Sequence, residues 1–139
     1  MRKEHDFLGE LEVADELYYG VQTIRALENF HITGKHLDQD FIKALAMVKK
    51  ASALANMKTG RLNVSIGKAI VQAADEVIAG EFADQFPVDP IQGGAGTSVN
   101  MNMNEVLANR ACEILGHPKG SYDIVSPNTV SYTHLTLPT

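Results

Sequence analysis

Apolar residues recur at helical spacing along most of the chain. In the first such stretch they follow one another at three- and four-residue steps: Phe41, Leu45, Val48, Ala51 (or Ser52) and Ala55. Lysines occupy other positions of the helical wheel, so the pattern predicts an amphipathic helix. Asp38 or Asp40 can cap its first turn, and Gly60 can end it in a left-handed turn.

The same periodicity predicts two more substantial helices. The second ends near Gly80 and carries its apolar residues on one face: Ile66, Ile70, Ala74, Val77 and Ile78. The third runs from about Thr97 to Leu115, and Gly116 and Pro118 close it. Its predicted apolar stripe consists of Met103, Leu107, Ala111 and Ile114 or Leu115.

The remaining segments complete a mainly α pattern. The stretch FLGELEVADELYYG alternates partly and is bounded by glycines, which indicates a short N-terminal β-hairpin or an irregular arm. VQTIRALENF predicts a brief helix, and residues 81–96, with two prolines and three glycines, predict a loop. A chain of 139 residues is long enough for one domain with a core.

Composition and charge narrow the classes of function. Lys plus Arg number 12 against 17 for Asp plus Glu, and the basic residues do not cluster, so no nucleic-acid surface is expected. No apolar stretch approaches the roughly 18 to 20 residues of a membrane-spanning helix, and MRKEHDFLGE lacks the apolar core of a signal peptide. We therefore expect no membrane partner and a cytoplasmic location. Cys112, the single cysteine, is expected to be buried as a small apolar residue.

The last eleven residues differ from the rest of the chain. TVSYTHLTLPT (residues 129–139) contains no charged side chain, whereas 21% of all residues are charged, and it has no helical or well-formed strand pattern. A native C-terminal arm and an out-of-frame, non-native end both fit this composition. The prediction is therefore a domain over residues 1–128 followed by an atypical tail.

The candidate chemistry lies in IQGGAGTSVNMNMNE, residues 91–105. A glycine-rich turn entering a helix presents free N–H groups and the positive end of the helix dipole, which favour a carboxylate or phosphate. Thr97 and Ser98 add hydroxyl groups there, and neither a P-loop lysine nor G-x-G-x-x-G is present, so a small organic anion is the natural ligand. A plain turn in which Thr97 or Ser98 caps the helix is the alternative.

Other polar residues carry less weight. Asn100 and Asn104 share a helix face; packing between helices is the preferred interpretation of Asn102 and Asn104, and a substrate contact is a minor possibility for Asn100. Glu105 and Glu113 are expected to be helix-surface carboxylates. The five histidines have no metal-ligand spacing, so no metal site is predicted and each is expected on the surface: His5, His31, His36, His117 and His134.

Long ordered motifs resemble the N-terminal domain of the aspartase/fumarase superfamily. They include YYGVQTIRALENFHITG, AADEVIAGEFADQFPVDPIQGGAGTSVNMNMNEVLANRA, LGHPKG and the S-P-N of residues 126–128, so the resemblance covers almost all of the chain. Tyr19 before Gly20, and Ala95 within G-A-G-T, are more similar to the aspartate ammonia-lyases (aspartases) than to class II fumarate hydratases.

The resemblance implies conversion of L-aspartate to fumarate and ammonia without metal or organic cofactor. It implies that Thr97 contacts the substrate, with Ser98, the backbone after Gly96 and Asn100 as helpers. A homotetramer is implied for the full-length enzyme. The family's Ser-Thr-Asn motif, its serine-base loop, its central helical bundle and its C-terminal domain do not occur in this sequence, so no catalytic residue is assigned here.

Three hypotheses follow from the resemblance and the residues. The first is an ammonia-lyase domain, inactive by itself because those motifs are missing. The second is a fumarase-like hydratase domain. The third is a non-catalytic helical binding module that keeps the anion loop.

Overall fold

Two short strands begin the chain and form an antiparallel hairpin. In the computed structural model, which describes residues 1–131, β1 is Arg2–Asp6 and β2 is Gly9–Val13. Arg2 lies opposite Val13 and Asp6 opposite Gly9, so Phe7 and Leu8 alone form the turn. An N-terminal hairpin is therefore observed, but it lies nearer the start of the chain than predicted: FLGELEVADELYYG contains only its turn and β2, and residues 14–20 form no strand.

Up to residue 131, five α-helices and one 3-10 turn follow the hairpin. They are α1 (Val21–Asn29), α2 (Gln39–Lys58), α3 (Val64–Ile78), the 3-10 turn (Ala83–Gln85), α4 (Thr97–Ile114) and α5 (Pro127–Ser131). The mainly α fold class and the three long helices are therefore confirmed. As predicted, Asp38 caps α2, since its side chain accepts a hydrogen bond from the Asp40 N–H. None of the helices within residues 1–131 is long and apolar enough to cross a membrane.

Helix α4 lies at the centre of the fold. It packs against α1, α3 and α5 and more lightly against α2. Nearly every residue from Asn102 to Cys112 is buried, whereas the sequence predicted a single apolar stripe. The predicted stripe residues Met103, Leu107 and Ala111 are buried, but so are the residues between them, because other elements cover α4 on all sides.

The predicted apolar face of α2 is wrong by one position. Phe41 and Val48 are 49% and 46% exposed, and the buried face carries Ile42, Ala46 and Ala53 instead. Small residues on α2 meet small residues on α3, such as Ala69 and Ala73, so these two helices pack through the alanine faces. Four large apolar side chains of α2 are exposed instead: Phe41, Met47, Val48 and Leu54.

Several single-residue expectations can be compared with the structure. Cys112 is buried, as expected, and burial raises the pKa of its thiol. His5, His31, His36 and His117 are exposed, as expected, whereas His134 lies outside the described residues. In the atypical tail, Thr129–Ser131 belong to α5, contrary to the absence of a helical pattern there. Residues 132–139 lie outside the described range.

Candidate carboxylate-binding cleft

The glycine-rich loop enters α4 through three consecutive residues in the left-handed region. Gly94, Ala95 and Gly96 have φ of 78°, 54° and 88°. A left-handed conformation is easy for glycine and costs about 1 kcal/mol for alanine, so this loop is held in a conformation with local strain at Ala95. The N-cap of α4 is Gly96, which has no side chain that could accept a hydrogen bond from the N–H groups of the first turn. Neither Thr97 nor Ser98 is therefore the helix cap that the plain-turn alternative required.

Hydrogen bonds from the preceding loop fix the start of α4. The side-chain oxygen of Gln92 accepts from the Val99 N–H at 2.9 Å, while its amide nitrogen donates to the Asp89 carbonyl at 2.8 Å. The Thr97 hydroxyl donates to the Gly94 carbonyl at 2.6 Å. This hydroxyl is exposed, so it can exchange its bond to Gly94 for a ligand by rotating about its Cα–Cβ bond.

Asp89 anchors the whole loop. Its carboxylate accepts from the backbone N–H groups of Ile32, Thr33, Gly34 and Ile91, at 2.7 to 3.1 Å. Burial alone would raise its pKa, but these donors together hold the pKa of Asp89 at about 2. The carboxylate stays ionised at neutral pH and ties residues 32–34 to the segment that leads into the glycine turn.

An open cleft of about 550 Å³ lies beside the loop. Tyr122 and four segments line it: the end of β1 with the hairpin turn (residues 5–7), the first residues of α1, one face of α4, and residues 126–128. On α4 the lining residues Thr97, Met101 and Glu105 are four positions apart, as one helix face requires. The cleft thus brings Thr97 together with the S-P-N segment, which lies far from it in sequence.

The four residues predicted for the site do not all line the same cavity. Thr97 lines this cleft and also a neighbouring cavity of about 170 Å³, which Ser98 lines as well. Gly96 supplies the turn rather than a lining group. Asn100 lines neither space, and its side-chain oxygen accepts from the Lys49 amine on α2 instead. Arg25 also borders the smaller cavity, but a two-point ion pair at 2.9 and 3.0 Å holds its guanidinium on Asp6.

Glu105 forms the floor of the cleft. The expectation that it is a helix-surface carboxylate is wrong. Glu105 is fully buried, because α1 packs over this part of α4. Its oxygens accept from the N–H groups of Gln22 and Thr23, both at 2.9 Å, and from the Thr23 hydroxyl at 2.6 Å. The free N–H groups at the start of α1 therefore bind this carboxylate. Burial nevertheless raises the pKa of Glu105 to about 7.

A second buried carboxylate, Glu4, faces the same helix start. It accepts from the Val21 N–H at 3.2 Å, from Arg2 at 2.6 Å and from the Tyr122 hydroxyl at 2.7 Å. A Cβ placed on Gly20 would lie within 3 Å of Glu4, Glu105 and Tyr122 oxygens, so these three groups converge on one glycine. Burial followed by the two carboxylates raises the pKa of the Tyr122 phenol, which stays protonated and donates.

Asn102 and Asn104 lie inside the packed elements, but only Asn102 bonds outside its own helix. Both residues are fully buried, and the Asn102 amide donates to the Gln85 carbonyl at 2.9 Å. The Asn104 amide contacts the Met101 sulfur on α4 at 3.7 Å, and neither side-chain oxygen has a hydrogen-bond partner within residues 1–131. Asn109, which sequence reasoning missed, donates to the Tyr18 carbonyl and accepts from the Gly120 N–H, each at 2.7 Å. Glu113 is half-buried and binds Tyr18 and Arg110, so it is only partly the surface carboxylate that was expected.

Sequence reasoning also missed three side chains that contact the first turn of α4 or of α1, namely Lys49, Gln92 and Glu4. The helical periodicity gave no reason to bury a lysine, and Gln92 and Glu4 act through contacts distant in sequence. Glu105 was detectable in principle, because it lies two four-residue steps beyond Thr97 on one face. Among residues 1–131, no group of three or more His, Cys, Asp or Glu side chains is arranged to hold a metal ion.

Comparison with known proteins relates this geometry to one family. A family described as lyase matches residues 9–134. Aspartate ammonia-lyase of Bacillus subtilis (strain 168) is 62% identical over 128 residues, which are 92% of this chain and 27% of the relative. Aspartate ammonia-lyase of Escherichia coli (strain K12) is 50% identical over 131 residues, with the same two coverages. The chain thus spans about a quarter of the length of these relatives.

Solved structures agree with the observed fold. The native crystal structure of a fumarate lyase:delta crystallin from Brucella melitensis superposes with a TM-score of 0.92 at 49% identity, covering 94% of this chain and 30% of that one. A class II fumarase from Schistosoma mansoni superposes with a TM-score of 0.86 at 38% identity, covering 92% and 27%. The likeness in fold therefore covers more than nine-tenths of this chain.

Proposed function

The chain belongs to the lyase family, and on that premise we propose that it is the N-terminal domain of an aspartate ammonia-lyase. In this proposal the domain supplies the loop that binds a carboxylate of L-aspartate or fumarate. The observation that carries it is the cleft in which Thr97, on the strained glycine loop, meets residues 126–128. Relatives named aspartate ammonia-lyase, at 50% to 62% identity, support this activity over others.

The proposed reaction makes an electrostatic demand that the loop suits. A base takes a proton from the carbon next to the distal carboxylate, and the C–H electron pair moves into that carboxylate as an aci-carboxylate dianion. That electron pair then returns to form the C=C bond of fumarate, while the C–N bond breaks and its electrons leave on nitrogen as ammonia. Donors that hold the carboxylate more tightly as its charge grows lower the barrier. The hydroxyl of Thr97 and the backbone N–H of Ser98 are the donors we assign to this role. The backbone N–H groups of Thr97 and Val99 already donate to Gly94 and Gln92.

The domain supplies binding groups but, in this proposal, no base. We therefore expect no conversion of aspartate by this chain alone. The measurement is the ultraviolet absorbance of fumarate after L-aspartate is mixed with purified protein. A clear protein-dependent rate would contradict this expectation. That the full-length enzyme is a homotetramer and is located in the cytoplasm remains a prediction.

Anion binding tests the loop directly. We expect succinate and fumarate to bind with millimolar or better affinity by isothermal titration calorimetry. Thr97→Ala should weaken binding about tenfold or more, because a hydrogen bond to a charged group contributes roughly 1.5 to 3 kcal/mol. Thr59→Ala, at the exposed end of α2, is the matched control and should bind as the wild type does. Equal affinity of the Thr97 and Thr59 variants would refute the role of Thr97.

A hydratase is the second candidate, because the class II fumarase structure superposes well. The two activities are separated by assaying aspartate and malate with an enzyme that contains this domain within a full-length lyase. Turnover of malate without turnover of aspartate would favour the hydratase. Anion binding by the folded chain without turnover of either substrate by that enzyme would instead favour the non-catalytic helical module. No anion binding at all would leave only a fragment without a working loop.

A further inference from the structure

Lys49 is a fully buried lysine in the middle of α2. Its exposed fraction is 1%, and it lies on the same helix face as Ile42, Ala46 and Ala53. Its amine donates to the side-chain oxygen of Asn100 at 2.5 Å. No ion pair found within residues 1–131 includes this amine. A methionine or leucine would fill the position without the cost of removing an ammonium group from water.

The neighbouring lysine shows what is unusual about Lys49. Lys50 keeps its amine at the surface and pairs with Asp75 on α3 at 2.7 Å. The two residues are adjacent in sequence, but the helical rotation turns only Lys49 inward. Burial lowers the pKa of Lys49 to about 8, so the amine remains mainly charged at neutral pH.

The buried charge lies next to the first turn of α4. Asn100, which the Lys49 amine contacts, is in the first turn of α4, and its backbone N–H donates to the Gly96 carbonyl at 3.1 Å. Asn100 and Thr97 are three residues apart, which is less than one helical turn. A single contact therefore links the Lys49 ammonium to the part of α4 that follows the loop.

The positive charge of Lys49 is unfavourable beside the N-terminus of α4 unless an anion is bound there. The N-terminus of an α-helix carries a partial positive charge, which repels a cation and attracts an anion. The first turn of α4 contains no acidic residue, so within its own sequence nothing offsets both positive charges. A carboxylate bound at the exposed loop would be attracted by the helix terminus and by the ammonium together.

We propose that Lys49 is a positioning residue of the carboxylate loop, which holds Asn100 and the first turn of α4 and raises the affinity of the loop for a dicarboxylate. This inference rests on the proposed function, because it assigns the loop an anionic ligand. At an effective dielectric constant of about 20, a unit charge within roughly 10 Å of a bound carboxylate changes its affinity about tenfold.

Succinate affinity and amide exchange together test the proposal. Lys49→Met removes the charge at similar volume, Lys49→Arg keeps it, and Lys50→Met is the matched control that removes an exposed charge from the same helix. Lys49→Met should weaken succinate binding about tenfold, with a melting temperature equal to or above that of the wild type, because a buried charge is gone. Lys49→Arg should bind more tightly than Lys49→Met, and Lys50→Met should bind as the wild type does.

Amide hydrogen exchange by NMR supplies a measurement that does not depend on ligand. Lys49→Met should speed exchange at residues 100 and 101, whereas Lys50→Met should leave these amides unchanged. Asn100→Asp covers the case in which Lys49→Met does not fold, because its carboxylate would neutralise the ammonium in place and should also weaken succinate binding about tenfold.

The possible results separate this proposal from the proposed function. Unchanged succinate affinity in both Lys49→Met and Asn100→Asp overturns the electrostatic role, and unchanged exchange in Lys49→Met overturns the positioning role. An equal loss of affinity in Lys50→Met also overturns it, since the effect would then be one of net charge. If the wild type binds no succinate while exchange responds to Lys49→Met, the proposed function fails and the positioning role stands.

Discussion

Glu105 should make the stability of the fold fall as the pH rises from 5 to 7.5. Burial raises its native-state pKa from 4.5 to about 7. The native state therefore holds a proton on Glu105 that the unfolded chain releases at lower pH. The stabilisation is complete below the unfolded pKa and is lost as the pH rises through the folded pKa. The direction is opposite to that of an ion-paired carboxylate.

The size of the effect follows from the difference in pKa. Each unit corresponds to about 1.4 kcal/mol, so full titration of Glu105 is worth about 3 kcal/mol. About 2 kcal/mol of this should be lost between pH 5 and 7.5. The buried carboxyl of Asp89 has a pKa of about 2 and titrates below this range. Lys49, with a pKa of about 8, acts mainly above it and with the opposite sign.

Urea denaturation followed by far-ultraviolet circular dichroism at several pH values measures the effect. Glu105→Gln should remove most of the pH slope. Its absolute stability should also drop at low pH, because the new amide N–H would face the Gln22 N–H that now donates to the carboxylate. Glu10→Gln, at an exposed position of β2, should keep the wild-type slope. A flat or rising wild-type stability, or an equal slope in Glu105→Gln, would refute the reasoning.

Three further predictions concern other contacts of the fold. Gly20→Ala should lower the free energy of unfolding by roughly 2 kcal/mol or more in urea, because its Cβ would meet three oxygens within 3 Å, whereas Gly93→Ala makes only ordinary contacts and should change little. Asp89→Asn should lower the melting temperature, and the difference from wild type should shrink as the pH falls from about 4 towards 2, where the Asp89 carboxylate is protonated. Above pH 8 the wild type should gain stability, because folded Lys49 loses its proton before the unfolded lysine does, and Lys49→Met should not show this gain.

The helices were predictable because their signals are local. The signals that set a helix act within a few residues: the cap at Asp38, apolar positions three or four residues apart, and the glycine after each long helix. Helices α2, α3 and α4 therefore begin and end close to the expected positions. The hairpin was less certain, because five-residue strands carry a weak pattern and their pairing depends on the turn. The predicted buried face was right for α3, where Ile70, Ala74 and Val77 are buried, but the local pattern did not identify the buried face of α2.

Helix α2 shows why the direction was missed. Periodicity alone favoured the face with the largest apolar side chains, and Phe41 belongs to it. Packing instead selected the face with Ala46 and Ala53, because small side chains let α3 approach closely. Both faces have helical spacing, so choosing between them required knowledge of the partner helix. A hydrophobicity pattern does not contain that information.

In the candidate site, too, features set by neighbouring residues were predicted, and features set by contacts distant in sequence were missed. The glycine turn and Thr97 could be identified from a short stretch because their chemistry depends on backbone conformation at the start of one helix. Glu105 was misassigned for the opposite reason: a glutamate on a helix is ordinarily exposed, and only the free N–H groups at the start of α1 make its burial possible. Lys49 was missed likewise, since its partner lies across a helix interface.

These buried polar groups share a physical arrangement that bears on the cleft. Glu105 puts an acidic group against the positive end of α1, which satisfies that helix terminus internally. Lys49 puts a cation behind the positive end of α4, where the first turn has no acidic residue. The fold therefore neutralises one helix terminus at the floor of the cleft and leaves the other, at Thr97, without an internal anion from its own first turn. An external carboxylate should accordingly bind at α4 rather than at α1.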